Sequence, residues 1–362
     1  MRTIDFAYHV LRNNAFFGFL HAPMDRGNVL RMDDSGEIKM SLSGTFSPFV
    51  TDVDGNPVEA DFLSDEIRPM LIVDGTEHAL GVYGVANAVP TETGGVQRLQ
   101  VEAFDRCWKV RDHYTESRIH IEAGTSYITA IEGLLIEAGI TIILATPTNA
   151  VLAEAREDWE IGTSYLTIVN QLLGEINYNQ LWFTPEGNAV LEPASVPTAE
   201  NIEHTMSDMP EELLDGAVKI DRMLPSITRE TDVYSAPNVF LCIVSNPDKS
   251  GPMKAKAENT NPQSPLSIQR RGRRIMKVER VDNIASQAEL QAYADRLRNE
   301  SMIGGETIRV TTALQPGYGV ADVVAIKYGD LNAICIERAF SMELSVGGKM
   351  THELERVVYH LG

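Results

Sequence analysis

A twelve-residue segment occurs twice in this chain, 38 positions apart, and constrains its fold more than any other feature. The first copy, GTSYITAIEGLL, begins at Gly124, and the second, GTSYLTIVNQLL, begins at Gly162. Gly, Thr, Ser, Tyr and Thr recur in register, as do Ile131 with Val169 and the pairs Leu134-Leu135 and Leu172-Leu173. Ile128, Ile131, Leu134 and Leu135 fall on one face of a 3.6-residue period, so each copy predicts a helix. The Thr and Ser at each start are expected to cap the free amides of the first turn through their hydroxyls. An apolar strand, ITIILA, follows the first copy. The second leads into LWF, the turn TPEGN and AVL, the pattern of a hairpin. Two copies are too few for a stacked solenoid, which needs about three. The repeat therefore predicts a small α+β domain of two related helix–strand units, with Leu134, Leu135, Leu172 and Leu173 buried.

Both flanks of this domain read as β-structure. EIKMSLS sets Ile38, Met40 and Leu42 on one face against Lys39, Ser41 and Ser43, and VQRLQVEAF does the same with Leu99, Val101 and Ala103. Asp54-Gly55, Asp74-Gly75 and Gly94-Gly95 mark turns between such strands, as a compact barrel or sandwich requires. Beyond residue 200, Asp208 with Pro210, Glu211 and Glu212 predicts a short helix start. NVFLCIVSN from Asn238 predicts a buried strand, and the polar, proline-rich stretch from Asn246 to Pro265 predicts a long loop. Ser286 and Glu289 form a capping box for an amphipathic helix bearing Leu290, Tyr293, Ala294 and Leu297, ended by Gly304-Gly305. TIRVTTAL, DVVAIKY, LNAICIERAFSMEL and HELERVVYHL then read as the strands of a second β-domain. The expected fold class is α+β and β-rich, with domains at residues 1–115, 116–200 and 201–362.

Composition narrows the function classes. The 362 residues carry 31 Lys and Arg against 51 Asp and Glu, a net charge of −20, and such a field repels duplex DNA and anionic membrane surfaces. Cys107, Cys242 and Cys335 are three scattered cysteines without a CxxC pair, which fits a reducing compartment and excludes a disulfide framework. Asp5, His9 and Arg12 interrupt any secretory signal, and the greasiest stretch is 13 residues long and contains Glu137, short of the roughly 20 that span a bilayer. Synthesis in a cytoplasm is expected.

Enzyme signatures fail one by one. The chain has no GxSxG elbow, phosphate-binding loop or GxGxxG. HELERVVYH separates His352 and His360 by eight positions, whereas two imidazoles on one helical face need four, so an ordinary terminal strand is expected. DVDGNPVEA from Asp52 has Pro57 and Leu63 where a calcium loop needs Gly and Glu, and reads as a tight turn. Cys107 reads as a buried structural thiol. No catalytic residue, cofactor or metal is expected. The one basic run, RRGRR, comprises Arg270, Arg271, Arg273 and Arg274 in an acidic chain. Without interleaved aromatics it suits a contact with a subunit or protein partner better than nucleic acid.

The order of these segments is similar to one family, the tail hub or baseplate hub proteins of phages and phage-derived particles. The resemblance runs from EIKMSLSGTF, IRPMLIV with LGVYGV, and VEAFDRCWKV through both GTS helices and LWFTPEGNAVLEP. It continues through NVFLCIVSNP, NPQSPLSIQRRGRR and SQAELQAYADRL to SVGGKMTHEL. Such proteins often show Gly-Asp before a C-terminal strand, where this chain has Ala321-Asp322. The chain ends after the hub module without a peptidase or lysin domain, so no wall-cleaving role is expected. The resemblance implies two β-barrel tube domains flanking the α+β domain, and a homotrimeric ring that continues the tail tube at the distal tip of a virion. Implied partners are the tube or distal tail protein above, a central spike, fibre or tape-measure end, and other baseplate proteins. DNA would pass through the channel unbound, as the acidic composition favours. The competing readings are a tail-associated cell-wall hydrolase, which lacks a catalytic pair, and a carbohydrate- or receptor-binding module, for which Trp108, Trp159 and Trp182 are few stacking platforms.

Overall fold

The computed structural model describes residues 2–23, 27–194, 197–209, 220–230, 236–244, 253–262, 264–281, 284, 286–303 and 306–357. The expected helix start at Pro210, Glu211 and Glu212, the Gly304-Gly305 stop and His360 lie outside them.

The N-terminal third is β1 (Ile4–Arg12), β2 (Ala15–Leu20), β3 (Asn28–Asp33), β4 (Met40–Phe46), β5 (Phe49–Asp52), β6 (Pro57–Glu59), β7 (Glu66–Val73), β8 (Thr76–Ala79), β9 (Tyr83–Thr93) and β10 (Val96–Asp105). Hydrogen bonds order the strands β3-β4-β10-β9-β7-β1-β2-β5-β6. Only Ser47 and Pro48 separate β4 from β5, so the strand that pairs β10 turns a corner and pairs β2 (Leu20 opposite Val50). That corner returns the sheet to its own start as a barrel. Alternation fills it: Leu42, Val101 and Ala103 point inward with Tyr8, Phe46 and Leu71, and the Tyr8 and Phe46 rings meet edge-on at 5.0 Å. The turn at Asp52 is tight, its carboxylate accepting from the backbone N–H groups of Asp54 and Asn56.

The middle unit holds α1 (Cys107–Arg111), α2 (Tyr127–Glu137), β11 (Ile143–Ala145), α3 (Tyr165–Glu175), β12 (Trp182–Phe183) and β13 (Ala189–Leu191). The repeat gives two eleven-residue helices, α2 and α3, entered at Ser126 and Ser164 with nearly the same backbone angles. Gly124 and Gly162 both sit at positive φ (+82° and +87°), which explains why glycine recurs there. Leu134, Leu135, Leu172 and Leu173 are buried in one core with Tyr127, Ile131, Tyr165 and Trp159. The caps differ from expectation. Neither Ser hydroxyl bonds a first-turn amide, and Ser164 Oγ donates to the Arg111 carbonyl at 2.7 Å, tying α3 to α1. The hairpin β12–β13 forms, and β11 adds to it in parallel.

The C-terminal half contains β14 (His204–Ser207), β15 (Ile220–Glu230), β16 (Val239–Val244), β17 (Lys254–Glu258), α4 (Ile268–Arg271), β18 (Met276–Val281), α5 (Gln287–Ile303), β19 (Thr307–Ala313), β20 (Val323–Tyr328), β21 (Leu331–Leu344) and β22 (Lys349–Val357). A second barrel closes through hydrogen bonds alone, in the order β20-β14-β15-β19-β22-β21 and back to β20. The sequence pattern assigned this barrel only the last four strands. Closure also needs β14 and β15, which end 100 and 77 residues before β19 begins and run parallel to each other. Between β15 and β19 the chain inserts a three-stranded sheet, β17-β16-β18, covered by α5. The predicted loop between Asn246 and Pro265 therefore contains a strand, because Ala255 and Ala257 are buried under α5 while Lys254 and Lys256 face out. Half of the capping box forms: Ser286 Oγ accepts from Glu289 N, but the Glu289 carboxylate accepts from Asn177 instead of returning to the helix start. Ala321 occupies φ +59°, the left-handed conformation that makes glycine the usual residue there.

One strand joins the barrels. β21 is fourteen residues long; its first part walls the second barrel, and its last six residues pair with β3 from Ala339–Asp33 to Leu344–Asn28. Arg338 pins the seam, donating to Asp34 at 2.7 Å and to Glu355 at 2.6 Å, and a single apolar core runs through both barrels.

Candidate functional site

A cluster of buried polar groups lies inside the second barrel. Inward positions on five of its strands carry His204 (β14), Asp221 (β15), Thr312 (β19), Glu337 (β21) and His352 (β22), and the β19–β20 connection adds Tyr318 and Asp322. His352 lies between Met350 and Leu354 on the inward phase of its strand, so its ring enters the core. There Nδ1 meets Glu337 Oε2 at 2.9 Å, and Nε2 meets Thr312 Oγ1 at 2.9 Å. Tyr318 stacks on His204 at 3.8 Å and donates to Asp221 at 2.7 Å, while His204 Nε2 lies 3.2 Å from Asp322. Asp221 Oδ1 and Glu337 Oε1, both buried, have no hydrogen-bond partner among the described residues.

Thr312, His352 and Glu337 have the connectivity of a hydrolytic triad: hydroxyl, imidazole, carboxylate. A triad works only where a substrate carbonyl can reach the hydroxyl, and Thr312 is 1% exposed inside a closed barrel. The chain of contacts links five strands across the core, which suits holding the barrel in one register. Burial raises the Glu337 pKa more than His352 lowers it. At His204, burial pulls the pKa down, but Asp322 and Asp221 outweigh it and the net shift is upward.

Further buried charges sit at the junctions. Glu66 binds Arg106 at 2.6 Å and Lys109 at 2.8 Å, where the first barrel meets α1, and these cations hold its pKa below the usual value against burial. Glu175 joins Arg156 at 2.8 Å and Tyr127 at 2.9 Å between the repeated helices. Asp105 is raised to about 6 by burial, although it accepts from Met40 N and Cys107 N.

These shifts predict the pH profile. Asp105, Glu175, Glu203 and Glu337 have raised pKa values, so the native state holds protons that the unfolded chain releases above ~4. Their effect is greater stability as pH falls towards ~4. His204, also raised, contributes stability below ~6.5 that is lost as pH rises through its folded pKa. Glu66, Asp158 and Glu306, lowered by their arginines, lose their contribution only below ~4. The melting temperature should therefore be higher near pH 5.5 than at pH 8, and Asp105→Asn should flatten the step near pH 6. A melting temperature that climbs steadily from pH 5.5 to 8 would contradict this.

Among the described residues no nucleophile emerges elsewhere. All three cysteines are buried; burial raises Cys107 well above the normal thiol range, Cys242 to about 11 and Cys335 to about 12, leaving them protonated and inert at neutral pH. A cleft of about 800 Å³ between the middle unit, α5 and the second barrel is lined by Trp182, Glu192, Asn201, Arg296 and Arg338, with no Ser, Cys or His among the described residues of its wall. Among the described residues no three His, Cys, Asp or Glu are grouped to hold a metal ion.

RRGRR lies on the inserted sheet unit, far along the chain from the buried cluster. Arg270 and Arg271 end α4, whose Ser267 Oγ caps Arg270 N, and Gly272 turns the chain at φ +62°. Arg270, Arg273 and Arg274 are exposed, Arg271 is half-buried against the Ala236 carbonyl, and Arg274 pairs with Glu258. The sequence pattern found this run; it missed the barrel cluster, whose members are spread from residue 204 to residue 352.

No sequence family and no curated protein matches the chain. Solved structures do. A tail protein from Neisseria meningitidis is 13% identical, with a TM-score of 0.63 over 97% of this chain and 96% of its own. The 43 kDa tail protein of prophage MuSo2 from Shewanella oneidensis is 10% identical, with a TM-score of 0.64 over 98% and 99%. An E. coli component of the type VI secretion system, described as structurally similar to bacteriophage T4 tail proteins, is 9% identical, with a TM-score of 0.51 over 100% and 75%. From end to end, the chain has the β-rich fold of phage tail proteins that its segment order resembles.

Proposed function

We propose that this chain is a structural hub of a phage or phage-derived tail, in which three copies close into a ring. The barrel within residues 1–115 and the barrel within residues 201–362 alternate around a central channel, so three subunits present six barrels to a six-fold tail tube. Three-fold symmetry remains below for a spike, fibre or tape-measure end. The domain at residues 116–200 lies outside the ring, where it holds neighbouring baseplate parts. The observation that carries this reading is the β3–β21 seam, which sets two barrels side by side in one sheet. Closing such a sheet into a ring covers edges that would otherwise recruit stray strands. The acidic balance lets DNA pass without sticking. A hydrolase is the weaker reading, because the one triad-like arrangement among the described residues is sealed inside a barrel.

Mass photometry of the purified chain tests the stoichiometry. The expected species has three times the 40.0 kDa chain mass. A dimer, or a monomer at every concentration, would count against the ring.

A further inference from the structure

The inserted sheet reverses the charge of the molecule. From Lys254 to Arg280 there are eight Lys and Arg and two Glu, although the whole chain has 31 against 51. Pairing register resolves the sheet into two faces. Ala255, Ala257 and Cys242 lie under Leu290 and Ala294 of α5. On the other face Lys256, Leu241 and Val278 stand in one row, and Lys254, Ile243 and Arg280 in the next. That face therefore has a central apolar stripe, Leu241 and Ile243, extended by Met276 (52% exposed) and Val278 (47%), between a lysine rim and an arginine rim. Its only acid among the described residues, Glu258, is already shared by Lys256 and Arg274. An apolar centre with a charged rim is the anatomy of a protein–protein contact.

The charge complement of this face is found on the same chain. Between Asp112 and Ile161, around the repeated helices, nine acids stand against Arg118 and Arg156. Arg156 is buried in its own ion pairs, while Glu116, Glu122, Glu154, Glu157 and Glu160 are exposed. Exposed apolar residues, Ile136, Leu144, Val151 and Ile161, accompany them.

We infer that the open face of the β17-β16-β18 sheet, with RRGRR at its end, docks on the acidic repeat unit of a second copy. This rests on the ring reading above and supplies its outer contact: each subunit offers one basic and one acidic face, a head-to-tail arrangement that closes when the rotation permits. Opposite potentials on the two faces steer the encounter and fix its register.

The test is charge reversal in both directions, read by mass photometry at low and high salt. The basic set is K254E, K256E and R280E; the acidic set is E122K, E154K and E157K. All six side chains are exposed, so each variant should keep its circular dichroism and melting temperature. Each set alone should weaken self-association on the order of tenfold or more, and the chain carrying both sets should regain it. Association that neither set changes overturns the inference and leaves the ring standing. A wild-type chain that never associates overturns both. Loss with the basic set that the acidic set does not restore means another surface is the occupant. Salt-sensitive binding of the wild type to a labelled duplex, abolished by the basic set, means that the face is for nucleic acid.

Discussion

Replacing His352 with alanine is expected to destabilise the second barrel by about 3–5 kcal/mol, the cost of emptying a fully buried ring site and leaving its hydrogen-bond partners unsatisfied. The ring of His352 has no exposed side-chain surface, and neither has Glu337, whose Oε2 lies 2.9 Å from Nδ1. Removing the imidazole deprives Glu337 of that contact when its other oxygen has none among the described residues, and also takes the His352 partner from the Thr312 hydroxyl. Glu337 already has a raised pKa through burial and will take up a proton in the variant to avoid the penalty. The loss should therefore be largest at alkaline pH and shrink on acidification. Glu337→Gln, which removes the charge and keeps the shape, should cost less, about 1–3 kcal/mol. Denaturant unfolding at pH 8 and pH 5.5 measures both. An H352A midpoint equivalent to less than about 0.5 kcal/mol from wild type at pH 8 would show that the cluster does not hold the barrel.

The repeat makes a second large prediction. Leu135 and Leu173 occupy matching positions in α2 and α3, and each is 0% exposed. Truncating either to alanine removes buried methyl groups and leaves a cavity in a core that cannot fully collapse, at about 2–5 kcal/mol each. Because the two helices share one core, each variant should raise hydrogen exchange in both helices, not only in the one that carries it. Unmoved melting temperatures in both variants, with exchange unchanged, would mean that the duplicated units do not form one cooperative domain.

What could be read from the sequence depended on whether a signal was local. The helices α2 and α3 and the strands β4, β10, β16 and β19–β22 announce themselves by periodicity, because each buries one face against a core. β17 hid within a proline-rich stretch: its alternation is Ala against Lys, and alanine is too small to register as an apolar period. β14 has four residues and β15 contains Pro225, so neither reads as part of a barrel until strands far away in sequence supply the partners. The serine cap of α3 failed for a tertiary reason, since Ser164 Oγ is drawn to the Arg111 carbonyl of a neighbouring helix. Likewise Asn177 takes the carboxylate of Glu289 that a capping box would use. The barrel cluster left a faint trace in His352, a polar residue on the inward phase between Met350 and Leu354. Its partners Glu337, Thr312 and Tyr318 come from other strands and a connection, and no spacing rule brings them together.

A three-dimensional map of the assembled ring, alone or at the tip of a tail, decides whether the chain builds such a hub. Three copies are expected around a channel lined by six barrels, with the β3–β21 seam inside each subunit and the repeat unit on the outside. A map without a three-fold axis, or one in which the two barrels of a chain do not both face the channel, would contradict it.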